Sequence, residues 1–149
     1  MSDVSLRPAR AADAEELARV AHDSFRLAFA GIMSPAALAQ RPLSFFVERF
    51  GVQWPHVVVA ERAGRIVGFS MVRERHIDML FVDPGAQARG VGKVLLAGAE
   101  AGGAATLECF RDNRQARDFY EKNGWKLTNS LRRTFCGEDY DFVLYAKGA

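Results

Sequence analysis

"LFVDPGAQARGVGKVLL", running from Leu80 to Leu96, decides how this chain is read. It opens on an apolar β-type run that Asp83-Pro84-Gly85 breaks. Gly90 and Gly92 follow, and the residues from Val91 carry the apolar spacing of a helix. At a helix start the first N–H groups have no internal partner, and the macrodipole is positive there. Gly90 and Gly92 each leave out a Cβ at that turn, and Arg89 and Lys93 flank them with positive charge. Chemically this is a cradle for a pyrophosphate. A tight turn that needs glycine for its backbone angles alone accounts for the same residues, and the glycines by themselves do not separate the two.

Reading outward, "VSLRPA" forms a first short strand. Asp13 and Glu16 have the spacing of a capping box, and Leu17, Val20, Ala21, Ser24, Phe25, Ala28 and Phe29 fall on one helical face. Ser34-Pro35 starts a second helical piece. Pro42 breaks it, and Leu43, Phe46, Val47 and Phe50 form the apolar face of a further one. "HVVVAER", "AGRIVGFSMVRER" and "HIDMLFVD" read as three consecutive strands, the first two joined at Ala63-Gly64. A helix is predicted over 91–101, a strand in "ATLECF", a helix capped by Asn113 and ended at Gly124, and strands in "WKLTNS" and "YDFVLYA". The order implies an α/β fold with a mixed sheet, whose strand–helix–strand units need parallel neighbours.

The bulk properties narrow the class. With 149 residues, 49% of them hydrophobic and 26% charged, the chain suits one soluble domain over residues 1–149. A net charge of +2 is too small to argue for nucleic acid or an anionic membrane surface. No apolar run reaches the length of a membrane span, and the N-terminal stretch lacks the apolar segment of a secretory signal. Cys109 and Cys136 form no CxxC and have no nearby histidine pair, so no metal site and no disulfide framework are expected. A cytoplasmic location is the expectation, with Cys109 a small core residue.

Two familiar phosphate loops fail on this sequence. A P-loop would need glycine at Gln87 and Ser or Thr at Val94. The dinucleotide fingerprint would need its third glycine at Leu95. What stands is "QARGVG" directly after a strand. The segment Leu80–Leu96 resembles the acetyl-CoA-binding signature of the GNAT superfamily of acyl-CoA-dependent N-acetyltransferases. "NRQARDFYEKNGW", Asn113 to Trp125, resembles the second hallmark of that family, an Asn-x-x-Ala-x-x-Phe-Tyr-x-x-x-Gly helix. Both occur in the expected order, and the order of elements matches the GNAT fold over essentially the whole chain. The Gly85-Ala86 pair is smaller than the bulky or charged pair often seen there.

The resemblance implies a GNAT-like fold, a mostly antiparallel sheet with a splayed parallel pair at its middle. It implies acetyl-CoA as acyl donor and a primary amine of a small molecule or protein as acceptor. Backbone groups near Leu80, Phe81 and Val82 would face the pantetheine arm, and an N–H near Val82 would polarise the thioester oxygen. Ala88, Arg89, Gly90, Val91, Gly92 and Lys93 would surround the pyrophosphate, with Gln87 bracing the loop. Asn113 would reach the pantetheine or cap its helix. Tyr120 would protonate the departing thiolate, while packing as part of an apolar stripe with Phe119 is its other reading.

For the general base, strand alternation places His76, Asp78, Leu80 and Val82 on one face. Asp78 ranks first, being a carboxylate amid an apolar strand, with a structural ion pair to an arginine as the competing account. His76 ranks second, against a solvated hairpin position. Trp54, the aromatics Phe29, Phe45 and Phe46, and the acids Glu138, Asp139 and Asp141 are candidates for an acceptor pocket, with core or rim packing the other reading of the aromatics and a solvated turn that of the acids. His22 and His56 carry little weight as ligands. An acyl-CoA-binding sensor or partner subunit without chemistry is the rival reading. The exposed final strands offer an edge for a homodimer, on geometry alone.

Overall fold

The computed structural model describes residues 3–148, and the side chains of residues 87–89 lie outside the description. Seven strands form one sheet in the order β1-β2-β3-β4-β5-β7-β6. They are β1 (Ser5–Pro8), β2 (Val57–Arg62), β3 (Arg65–Arg73), β4 (His76–Val82), β5 (Thr106–Phe110), β6 (Trp125–Phe135) and β7 (Glu138–Lys147). The helices are α1 (Ala14–Phe29), the single turn α2 (Pro35–Leu38), α3 (Leu43–Gln53), α4 (Val91–Ala101) and α5 (Arg114–Lys122). Every strand pair is antiparallel except β4 with β5. The sheet is therefore mixed, as the element order required.

Three two-residue turns close the hairpins, and in each both central residues have positive φ: Ala63-Gly64, Glu74-Arg75 and Cys136-Gly137. That conformation matches the right-handed twist of the flanking strands. The third turn corrects one expectation. The stretch 131–142 continues β6 and opens β7, with Phe135 paired to Glu138 across the turn, so the hairpin is longer than "WKLTNS" and "YDFVLYA" suggested.

Three buried clusters fill the two faces of the sheet. One joins α1, α2 and α3 to β2, β3 and the far end of the β6–β7 hairpin through Leu17, Phe25, Phe46, Phe50, Phe69 and Phe142. A second packs α4 and α5 on β4, β5 and β7 through Leu96, Tyr120, Trp125 and Tyr145. A small third cluster holds the start of α4 against β2 through Val91, Leu95 and Ala60. The aliphatic and aromatic spacing of α1 predicted its buried face correctly, from Leu17 to Phe25.

Two local readings change. Asp13 does not cap α1 with its side chain. Its carboxylate accepts the Arg10 N–H at 2.7 Å and pairs with Arg7 at 2.8 Å, so the pairing with a cation and the preceding 3-10 turn outcompetes the Asp13–Glu16 box. On α3, Leu43 and Val47 are exposed, while Phe46 and Phe50 are buried and Phe45 and Arg49 half-buried. The helix is rotated from the predicted face because Phe45 and Phe46 dock onto the aromatic cluster beneath them, edge-on to each other at 5.2 Å.

Candidate active site

β4 and β5 pair only at His76 with Thr106 and Ile77 with Leu107. Beyond Ile77 the two parallel strands diverge, and residues 79–82 pair with β3 alone. The gap opens a cleft of about 820 Å³ that runs from the start of α4 and α5 to α1, α3 and the β6–β7 hairpin. Gly90, Gly92, Lys93, Asn113 and Tyr120 line it, together with His76, Asp78 and Leu80 to Val82. The fold thus gathers in one cavity the described candidates for catalysis and cofactor binding read from the sequence, except Val91, whose side chain is buried in the third cluster. Gln87, Ala88 and Arg89 lie outside the described side chains.

At the mouth of the cleft, α4 begins at Val91 with no side-chain cap. The first helical N–H groups lack intrahelical partners, and Val94 N–H, bonded to the Gly90 carbonyl at 3.3 Å, marks where the internal ladder begins. Gly90 has φ +71°, and a Cβ built there meets nothing within 4 Å, so the approach to those donors is open. A Cβ at Gly92 would lie 3.5 Å from the Phe119 ring, in ordinary contact. The two glycines therefore differ in what their backbone requires. Gly90 is required by its left-handed backbone, whereas Gly92 has no such requirement and keeps the helix start bare. An uncapped, positively polarised helix end with Lys93 beside it fits an anionic diphosphate.

Asn113 caps α5, its Oδ1 accepting the Ala116 N–H at 3.1 Å while its side chain borders the cleft. About two helical turns further on, Tyr120 is buried, and no hydrogen bond reaches its hydroxyl from the described residues. Burial pushes its phenol well above the ordinary range, with the neighbouring Cys109 adding to the effect. Cys109 itself is half-buried in the cleft wall, and desolvation raises its thiol to about 11. It is a neutral thiol and a packing residue at physiological pH.

The expected face of β4 is interrupted. Between Met71–Met79 and Val72–Ile77 the register slips by one residue, which makes Asp78 the extra residue of a β-bulge. Ile77 and Leu80 consequently pack into the same cluster, which strict alternation forbids. His76, Asp78, Leu80 and Val82 all line the cleft, but as a bulged edge rather than a regular row. The Asp78 carboxylate accepts Arg73 Nε at 2.7 Å, the ion pair anticipated as its structural account. His76 Nδ1 lies 2.8 Å from Thr106 Oγ1. The Val82 carbonyl accepts the buried Ser24 hydroxyl at 2.9 Å, which ties α1 to the end of β4.

The acids at the chain's end are not in the cleft, a correction to their expected role. Glu138 accepts the Ser34 hydroxyl at 2.6 Å, Asp139 the Thr134 hydroxyl, and Asp141 pairs with Arg111 and Arg132. Each is satisfied by a neighbour that the hairpin brings to it. Trp54 does not border the cavity either. His22 is held between Asp23 and Arg26 on α1. The sequence reading missed Glu108, Arg41, Arg49 and Arg133, all of which line the cleft. Arg49 could have been found, because it shares the helical face of Phe46 and Phe50, where a cation is out of place.

A parallel pair that splays over an uncapped helix start, with a neutral phenol in the same cleft, is the architecture of an acyl-transfer fold. The chain belongs to the acetyltransferase (GNAT) family, whose domain model matches residues 53–127. Peptidyl-lysine N-acetyltransferase YjaB of Escherichia coli is 31% identical over 68% of this chain and 69% of its own length. Blasticidin-S acetyltransferase of Streptomyces morookaense is 36% identical over 48% of this chain and 56% of its own. The solution structure of apo YjaB from Escherichia coli superposes with a TM-score of 0.78 at 26% identity, covering 97% of each chain. The chain is an N-acetyltransferase by family.

Proposed function

We propose that residues 1–149 act as one N-acetyltransferase domain that moves acetyl from acetyl-CoA to a primary amine by direct attack. The observation that carries this reading is the bare start of α4 opening into the same cleft as the Tyr120 phenol. Acetyltransferases for a peptidyl lysine and for an antibiotic are both similar to this chain, which supports an amine acceptor of either kind.

In this scheme the N–H groups of Val91, Gly92 and Lys93 receive the pyrophosphate, with Arg89 and Lys93 adding charge and Gln87 and Ala88 shaping the loop. Asn113 borders the pantetheine path. The end of β4 at Leu80, Phe81 and Val82, which borders the cleft, takes up the amide arm, and an N–H near Val82 meets the thioester oxygen. The acceptor nitrogen bonds to the carbonyl carbon as the carbon–sulfur bond breaks. Asp78 accepts the proton released from the amine, directly or through water, and His76 is the second candidate, its ring oriented by Thr106. Tyr120 delivers a proton to the departing thiolate. Burial keeps that phenol protonated, the state in which it can donate.

The test is acetyl-CoA turnover followed as free thiol over a panel of amines, with acetyl-CoA affinity measured separately. Turnover on one amine class, cut at least tenfold in Asp78→Asn with acetyl-CoA affinity retained, is expected. Tight binding without turnover on any amine would favour the rival acyl-CoA sensor, and absence of binding would refute the cradle.

A further inference from the structure

Among the described residues, four cations and two carboxylates border the cleft besides His76, and they are not evenly matched. Lys93 sits at the helix start. Arg133 donates to Glu108 at 2.9 Å and stacks 4.2 Å above Phe142. Asp78 is taken by Arg73, which lies outside the cleft lining, at 2.7 Å. Arg41 and Arg49 remain, and neither has a carboxylate partner among the described residues. Arg41 spreads its guanidinium over Phe45 at 4.2 Å and Phe135 at 5.3 Å. Arg49 makes no hydrogen bond at all among the described residues, and its Nε is buried. Desolvation is the main cause holding its guanidinium below the ordinary range, and the nearby charges of Arg73 and Arg41 act in the same direction against Asp78.

A half-buried guanidinium with a dry, unpartnered N–H is an unfavourable arrangement for a free protein. Arg41, whose guanidinium donates to the Gln40 carbonyl at 3.2 Å, adds a second cation to the same cavity, and the two repel each other. An oxyanion bound between them relieves both conditions, and a planar guanidinium suits carboxylate or phosphate oxygens. The pair sits on and just before α3, on the side of the cleft away from the α4 start, so the diphosphate site does not supply that anion.

We infer that the acceptor amine carries a carboxylate or phosphate group, which Arg49 and Arg41 hold at the α3 end of the cleft. This rests on the transferase reading given above. The acceptor is a small molecule rather than a chain segment, because α2 is fastened to the β6–β7 hairpin beside that end, just outside the cleft lining. Ser34 bonds to Glu138 and Tyr140 at 2.6 and 3.2 Å, the Gln40 amide lies against Gly137, and within the lining Arg41 covers Phe135. A polypeptide entering past α2 would have to break these contacts.

The experiment compares three probes with the same reacting amine: 6-aminohexanoate, 5-aminopentyl phosphate and pentane-1,5-diamine. The first readout is the Arg49 Nε–H resonance of the CoA-loaded protein, assigned with Arg49→Lys. It should move with one or both anionic probes and stay put with the diamine. The second readout is thiol release, where the kcat/KM ratio of the better anionic probe over the diamine should be about tenfold to a hundredfold, the worth of one charge-assisted bond. That ratio should collapse towards one in Arg49→Gln. Whichever anion is preferred identifies its source. An unmoved resonance, or a ratio near one in the wild type, would overturn the inference while leaving the transferase intact. A Glu-Lys-Glu peptide used better than either anionic probe would overturn the small-molecule assignment. Failure of the protein to bind CoA, or silence on all amines alongside a shifted resonance, would instead count against the transferase reading.

Discussion

Tyr120→Phe separates chemistry from packing more cleanly than any other single substitution in this chain. The side chain is only 9% exposed, and its ring stands 5.3 to 6.3 Å from Phe119, Trp125 and Tyr145, so the benzene ring is a packing element that phenylalanine keeps. The hydroxyl has no hydrogen-bond partner among the described residues, so removing it orphans no protein group. Stability should stay within about 1 kcal/mol of wild type, a melting shift of no more than about 2–4 °C for a chain of this size. A general acid contributes roughly 10²- to 10⁴-fold, so kcat for thiol release should fall by that order while acetyl-CoA affinity holds. The pH dependence follows from the direction of the shift. With the phenol raised above its ordinary value near 10, Tyr120 stays protonated across the assay range and produces no alkaline limb there. Calorimetry of CoA binding, thermal unfolding and stopped-flow thiol detection together decide the matter. A kcat within about threefold of wild type, in a variant of unchanged stability, would refute the acid role.

Other consequences follow from the same geometry. Gly92→Ala places its methyl in ordinary contact with Phe119 and should leave folding unharmed or raise the melting temperature slightly, since alanine is the better helix former. It should nonetheless weaken acetyl-CoA binding about tenfold or more by calorimetry, and unchanged affinity would show that phosphate does not approach that turn. Gly68→Ala should be destabilising, by roughly 1–3 kcal/mol in urea unfolding, because its Cβ would stand 2.8 Å from the Phe81 carbonyl and 3.1–3.2 Å from Leu95 and Val91. At alkaline pH, Cys109 offers a linkage test. Its folded pKa is raised from 9.0 to about 11, so its contribution is complete below pH 9 and is lost as pH climbs to 11. The loss is on the order of 2–3 kcal/mol, and Cys109→Ala should flatten the stability profile over that window, with any packing loss appearing as an offset equal at all pH values.

Much of the fold was legible because its signals are local. The period-two runs of β2, β3 and β4, the helical spacing of α1, and the proline and glycine punctuation around α4 and α5 each act within a few residues. The limits of α4 came out as predicted, and Asn113 and Gly124 bound α5 as cap and stop. Where the reading erred, a distant group had won a local competition. Asp13 chose Arg7 over its own helix, α3 turned to lay Phe45 on the aromatic cluster, and a one-residue bulge took Asp78 out of the regular alternation.

The candidate site divides the same way. Sequence alone determined the chemistry that can be offered: bare backbone at a helix start, a tyrosine about two helical turns beyond a capping asparagine, and a carboxylate within an apolar strand. These depend on residue type and spacing, which the chain carries in one dimension. Only the tertiary structure decided which charges are satisfied. Arg73 reaches Asp78 across the β3–β4 turn, Arg133 reaches Glu108 from a neighbouring hairpin, and Glu138 is claimed by Ser34 from over a hundred residues away. Arg49 is left without any of them. Pairing energies depend on distance and burial in three dimensions, so a half-buried cation left without a carboxylate partner among the described residues becomes visible only when the chain is folded.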